Sequence, residues 1–175
     1  NPQALAAAGL GFGSPIPFAG NRLAIVVPPG NPAAIDDPED LARPGLKIIA
    51  AGDQVPITKY ATEAIMSMGA LPGYPAGFAD AYAANVVSRE DNAGAIIAKI
   101  ELREGDAAIV YATDARASEL VGTVPIPDVA SPTATYAGLA TAASSHRQQA
   151  AAFLDWLVGP AGQAILAEAG FLPPS

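Results

Sequence analysis

Apolar positions along this chain follow two periods, a short continuous one and a helical one, and they take turns. The run Leu23 to Val27, within residues 22–28, is of strand length and is closed by Pro28-Pro29-Gly30. Asp36-Asp37-Pro38-Glu39-Asp40 then carries an acidic cap, a proline at the first helical position and more acid in the first turn. It predicts a short helix that Pro44-Gly45 stops. Residues 46–50 are the next buried strand. Pro56 opens a helix to Gly69, with Ala61, Ile65 and Met68 on one face. Residues 70–83 show no period and are expected to be loop with at most one helical turn. A short strand is predicted over 85–88 and a helix over 91–102, with Ala93, Ile96, Ile97 and Ile100 inward. Strand 107–111, helix 114–120, strand 123–126 and a long strand 135–141 follow. Helices 146–158 and 161–169, parted by Gly159-Pro160, close the chain. Alternating strands and helices predict an α/β fold, with a mostly parallel sheet flanked by helices.

Composition narrows the field. With 175 residues, 51% hydrophobic and 15% charged, the chain is globular and long enough for one large domain or two small lobes. No apolar run approaches the ~20 residues that span a bilayer. The first residues carry no leader pattern, although a mature exported chain would look the same. A net charge of −8 with nine scattered basic residues argues against nucleic acid as a partner. An anion bound here must be held by local dipoles against the overall field. No cysteine is present, and the single histidine, His146, reads as a solvated helix-start residue beside Ser144 and Ser145. Neither a metal site nor a cofactor is expected.

The candidate chemistry lies where strands break into helices. Helix N-termini offer free N–H groups and the positive end of a dipole. In Gly52-Asp53-Gln54-Val55-Pro56-Ile57-Thr58, proline fixes the first turn and leaves the N–H groups of Ile57 and Thr58 to donate. In Ser88-Arg89-Glu90-Asp91-Asn92, the Asn92 N–H is exposed in the same way, with Ser88 and Asp91 as a capping pair or Asp91 alone as the cap. The third junction is Ile109-Val110-Tyr111-Ala112-Thr113-Asp114, where a phenol stands at the strand end and Thr113 or Asp114 can cap the helix. Singly, each is an ordinary junction. Three in succession on one parallel sheet open at the same edge, where ligands of such sheets sit.

Residues 21–28, Gly52 to Pro56, Glu90-Asp91 and Ile109 to Ala115 resemble, in that order, the periplasmic molybdate-binding proteins of ABC transporters. Phe153-Leu154-Asp155-Trp156-Leu157, Gly159 to Ala164 and Gly170-Phe171 are similar to that family's C-terminal helices, so the resemblance covers essentially the whole chain. It implies a type II periplasmic-binding-protein fold, here one complete lobe plus part of a second. It implies capture of molybdate or tungstate by backbone N–H groups and a tyrosine hydroxyl, with an ABC permease as partner. The location implied is periplasmic or extracytoplasmic, membrane-associated through the transporter. The second-lobe ligand positions carry over to Ile57, Asn92 and Tyr111, with Thr58 beside them; Ile57 and Thr58 depart from the small pair usual there. The family's N-terminal serine loops have no counterpart.

On this reading residues 1–21 and 142–175 are a remnant of the first lobe and residues 29–131 the second lobe. Strands 22–28 and 135–141 are the hinge, paired antiparallel; lying in separate sheets would defeat it. A truncated or proteolysed piece is the expectation, and apolar surface left bare on helices 146–169 would favour self-association. Two other classes compete. A type II protein for sulfate, phosphate or an organic anion would share the fold, and an incomplete lobe could serve as an interaction module. An enzyme is disfavoured: there is no nucleophile elbow, no phosphate-cradling glycine loop, no cysteine and no histidine cluster, and Asp53, Asp91 and Asp114 read as helix caps.

Overall fold

The structure, a computed structural model, describes residues 2–174. In chain order it begins with α1 (Pro2–Ala7), β1 (Gly11–Asn21), β2 (Leu23–Val27), a 3-10 turn (Pro38–Ala42) and β3 (Ile48–Ala51). There follow α2 (Pro56–Gly69), α3 (Phe78–Ala84), β4 (Val86–Glu90), α4 (Ala93–Glu101), β5 (Ala107–Tyr111) and α5 (Ala112–Ala117). The chain ends with β6 (Gly122–Pro125), a 3-10 turn (Asp128–Ala130), β7 (Ala134–Thr141), α6 (Arg147–Val158) and α7 (Pro160–Glu168). It divides into two compact units. One joins the described residues up to Asn21 to those from Ala134 onward, and the other is Arg22–Thr133.

The Arg22–Thr133 unit holds a five-stranded sheet in the order β4-β3-β5-β2-β6. β3 runs parallel to β4 and β5, while β2 lies antiparallel between β5 and β6. The sheet is therefore mixed, with one reversed strand among five. Its strands read as unbroken apolar runs because both faces are covered. Ala50 and Ile109 face α2, whereas Ile49 points the other way, toward Gly105 and Ile100 of α4. A methyl on Gly105 would fall 2.3 Å from Ile49 Cγ1, so α4 turns into β5 only because no side chain stands there. Ile25, Ile48, Ile57, Met68, Phe78 and Ile96 are among the fully buried side chains of this unit's core.

The other unit is built on β1 paired antiparallel with β7. β1 has no strand period because Gly11, Gly13, Pro15, Pro17 and Gly20 interrupt it, and its register slips between Phe12 and Ile16 and between Pro17 and Ala19. Gly138 lets α6 close on β7: a Cβ there would meet Leu154 Cδ2 at 2.4 Å. Tyr136 packs edge-on against Phe171, and Gln163 Nε2 donates to the Phe18 carbonyl at 2.8 Å. α6 has no buried residue, and Phe153, Trp156 and Ile165 are 56%, 45% and 57% exposed. The bare apolar surface expected on these helices is present.

Several expectations are corrected. Strands 22–28 and 135–141 share no ladder; they lie in different sheets and different units. Both edges of β2 are filled, by β5 and β6, so it has none to offer β7, and β1, masked by its prolines, takes that place. The predicted pairing of these two strands is wrong, although the chain still divides into two units beside them. The observed division falls at Asn21/Arg22 and Thr133/Ala134 instead. The segment read as loop over 70–83 contains α3, whose Phe78 and Tyr82 are buried four residues apart. The helix after Asp37 is a single 3-10 turn, with Asp40 reaching back to the cap as in a capping box.

Asn85 ties this unit together after α3. It is 5% exposed, and its Nδ2 donates to the carbonyls of Leu41 and Arg43 at 2.9 and 2.8 Å. Asn85→Ala leaves those acceptors without their donor and should cost about 1–3 kcal/mol. A urea titration that gives the variant an unchanged midpoint would show that the bonds add nothing net.

Candidate functional site

The three strands that end in the candidate junctions are neighbours. Ile48 pairs with Ala107 of β5 and Ala51 with Glu90 of β4. Carried one step past the strand end, this register sets Gly52, Asp91 and Tyr111 level at the carboxyl edge. Strands lie about 4.8 Å apart, so the three junctions span roughly 10 Å. The Gly52 N–H donates to the Glu90 carbonyl at 2.8 Å and carries the β3–β4 pairing into the loops. β3, β4 and β5 thus set their helix starts side by side.

At the first junction Val55 is the cap and Pro56 the first helical residue. Thr58 N–H donates to the Val55 carbonyl at 3.0 Å and its hydroxyl to the Gly52 carbonyl at 2.7 Å. Both donors of Thr58 are engaged, which corrects the expectation that its N–H is open. They fasten the loop to the helix. Ile57, the second helical residue, has no intrahelical acceptor for its N–H, since the residue four before it lies outside the helix. The whole residue is 1% exposed, so bulk at this position goes into the core and not over the junction.

At the second junction the cap is Asn92 itself, in extended backbone (φ −162°, ψ 163°), with Oδ1 accepting from Ala95 N–H at 2.9 Å. Neither Ser88 nor Asp91 caps α4. Ser88 belongs to a buried-side cluster in which its hydroxyl donates to Glu90 and Lys99 Nζ reaches both, at 2.9 Å from Ser88 Oγ and 2.7 Å from Glu90 Oε1. The hydrogen bonds from Lys99 and Ser88 hold the Glu90 carboxyl below its ordinary range. Asp53 is no cap either. It is exposed and pairs with Arg89 at 3.6 Å. The cations nearest these junctions thus already face acids.

At the third junction Tyr111 is the cap of α5 and is half-buried, with its ring edge-on to Tyr60 of α2 at 6.3 Å between centroids. Asp114, three residues on, bonds the Tyr111 backbone as in the returning half of a capping box. Burial raises its pKa, and Oδ2 is enclosed without a partner. His146 is exposed at the start of α6, as expected. Among the described residues no group of three or more His, Cys, Asp or Glu side chains is placed to hold a metal.

An apolar cleft of about 240 Å³ lies beneath α2, and Ile57 and Thr58 line it, but Asn92 and Tyr111 do not. Sequence reasoning missed it because α3, which forms one wall, was read as loop. The signal was available: Phe78 and Tyr82 are spaced for one helical face.

The profile of a family described as bacterial extracellular solute-binding protein matches residues 1–172. The molybdate-binding protein ModA of Mycobacterium tuberculosis is 31% identical over 173 residues, which is 98% of this chain and 62% of that protein. The chain therefore spans less than two thirds of that relative's length. In fold it is similar to the periplasmic molybdate-binding protein of Azotobacter vinelandii, with TM-score 0.77 and 22% identity over 99% of this chain and 74% of that one. The sulfate-binding protein SubI of M. tuberculosis is also similar, with TM-score 0.72 and 24% identity over 98% and 64% of the two chains. These likenesses agree with the type II α/β architecture seen here, and the match over nearly every residue places the chain in the bacterial extracellular solute-binding protein family.

Proposed function

We propose that this chain captures a tetrahedral oxyanion, molybdate or tungstate, outside the cytoplasm for an ABC importer, with the importer's permease as its partner. The observation that carries the reading is the level row of three βα junctions on β4, β3 and β5. The Ile57 and Asn92 N–H groups and the Tyr111 hydroxyl converge on the anion, and Thr58 positions the Ile57 turn without touching it. Neutral donors suit such a ligand. They replace its hydration without adding a cation that would hold it too tightly to release, and two helix dipoles, those of α2 and α4, favour the negative charge. The 31% identical molybdate-binding relative supports this choice of ligand. Sulfate is the competing ligand, since the same donors would serve it.

Tyr111→Phe should weaken molybdate binding by roughly 1.5–3 kcal/mol if the hydroxyl donates to the anion. Calorimetry that returns an unchanged affinity removes Tyr111 from the site. Parallel titrations with tungstate and sulfate rank the ligands, and tighter sulfate binding would replace the molybdate reading.

Lys99→Met removes the main support of the Glu90 charge. The Glu90 carboxyl should then titrate closer to its ordinary value. A carboxyl whose pKa is depressed on folding stabilises the fold above its unfolded pKa, and loses that contribution as pH falls through the folded value. The variant should therefore lose most stability relative to the parent near neutrality, and the gap should close in acid. A pH-independent gap in thermal melts would mean that Lys99 acts by packing alone.

The 175-residue chain by itself should bind molybdate weakly or not at all, and a chain extended to the full length of the relatives should bind it tightly. Three junctions at one sheet edge cover one side of the anion, and uncompensated burial of the rest of its charge is very costly. The exposed Phe153, Trp156 and Ile165 should also make the short chain self-associate, which sedimentation at several concentrations reads directly. Equal, tight binding by both lengths would place the site elsewhere.

A further inference from the structure

We propose that the cleft between α2, α3 and the β3–β4 face binds a small monocarboxylate with an unbranched apolar body, its head held by Arg89 and the Tyr82 hydroxyl. This is a second ligand site, which shares Ile57 and Thr58 with the first helix start but neither Asn92 nor Tyr111. The cleft has a volume of about 240 Å³, enough for a short aliphatic chain. Its walls are small or slender side chains, including Ala61, Ile65, Ala79 and Val86. Such walls give an apolar lining suited to a flexible aliphatic chain.

Of the four polar side chains in the lining, Thr58, Thr62, Tyr82 and Arg89, the last two are suited to hold a carboxylate head. Tyr82 is 8% exposed, and among the described residues no hydrogen bond to its hydroxyl is formed. Its oxygen is not among the enclosed atoms that lack a partner, so it opens onto the cleft, where it is free to donate to a ligand. Burial raises its pKa, and the Arg89 guanidinium, acting the other way, is near enough to be felt there. Arg89 is the one charged side chain among the residues that line the cleft. Its exposed contact with Asp53, at 3.6 Å, is of a kind that contributes little and leaves donors of the guanidinium unused.

The sequence builds this pairing with an irregularity. β4 slips register between the partners of Ile48 and Ile49, so Val87 is an extra residue. The slip brings Val86 and Arg89 to the cleft together, while Ser88 and Glu90 turn to Lys99 on α4. In a regular strand residues 86 and 89 would face opposite ways. One cation and one hydroxyl match a singly charged carboxylate; a doubly charged head would leave charge unmatched, and Asp53 would repel it.

The test is a titration of the chain with octanoate, followed by ligand-observed NMR and calorimetry, with 1-octanol and acetate as controls. Octanoate should bind, acetate should not, and octanol should bind about tenfold more weakly, having lost the charged contact. Arg89→Gln and Tyr82→Phe should each lower octanoate affinity about tenfold, and Ala61→Leu, which fills the slot, should abolish binding. Circular dichroism checks that each variant is folded, and Arg89, at the surface, supplies the variant least apt to disturb the core. Tyr111→Phe should leave octanoate binding unchanged. No binding of octanoate at millimolar concentration overturns the proposal. So does binding that folded Arg89→Gln and Ala61→Leu chains retain in full.

Discussion

Everything placed at the carboxyl edge depends on β3 lying between β4 and β5 with all three strands parallel and ending level. The Gly52–Glu90 backbone bond carries that pairing past the strand ends, so the loops leave the sheet already in register. Side chains then lock each loop by a different device: a threonine bonded back to the loop at α2, an asparagine cap at α4, and an aspartate returning to the cap at α5. A slip of one residue in β4 relative to β3 would carry the Asn92 turn away from the Ile57 turn by more than 3 Å. The precision of any site built here is thus a property of the ladder more than of the loops.

Electrostatics at this edge follow from the same geometry. In a chain of net charge −8, helix N-termini stay open at this edge only where the chain's own carboxylates do not occupy it. Glu90 is the nearest test. Its side chain is 15% exposed at the very end of β4, and Lys99 and Ser88 draw it to the α4 side of the sheet. Asp114 is treated differently: enclosure raises its pKa, and the Tyr111 backbone takes one oxygen. Asp53 is turned to Arg89. These three acids are paired or tilted toward the neutral form, whereas Asp91, level with Gly52 and Tyr111, is exposed and is the carboxylate left to oppose the helix dipoles of α2 and α4.

Much of the Arg22–Thr133 unit was legible in the sequence because its strands are buried on both faces and its long helices are amphipathic; α2 runs from Pro56 to Gly69 as its period requires. The positions of the three junctions were legible for the same reason, since each buried strand is followed at once by a helix start signal. What escaped was set by partners that a local pattern does not contain. β1 is a strand only because β7 lies beside it; its glycines and prolines carry no period of their own. The reversed β2 resembles any buried parallel strand, and nothing within residues 22–28 says that β5 and β6 fill both of its edges. Thr58 was misjudged for a related reason: the N–H of a third helical residue is open in principle, but the loop curls back and the Val55 carbonyl takes it.

Ile57 joins the two features of this unit that bear on ligands. Its N–H belongs to the first turn of α2, and the residue, 1% exposed, forms part of the cleft wall between α2 and the sheet. A small residue there would leave the backbone donor in place but remove the anchor that sets the pitch of the first turn. The isoleucine therefore departs from the small residue expected at this position without obstructing the donor. The bulk lies on the inner side of the helix, where it packs under α2. Close packing transmits strain, since interiors have few voids into which a displaced side chain can relax. Whatever occupies or fills the cleft beneath α2 bears on Ile57, so the rigidity of that first turn is set from below as well as by Pro56 and Thr58.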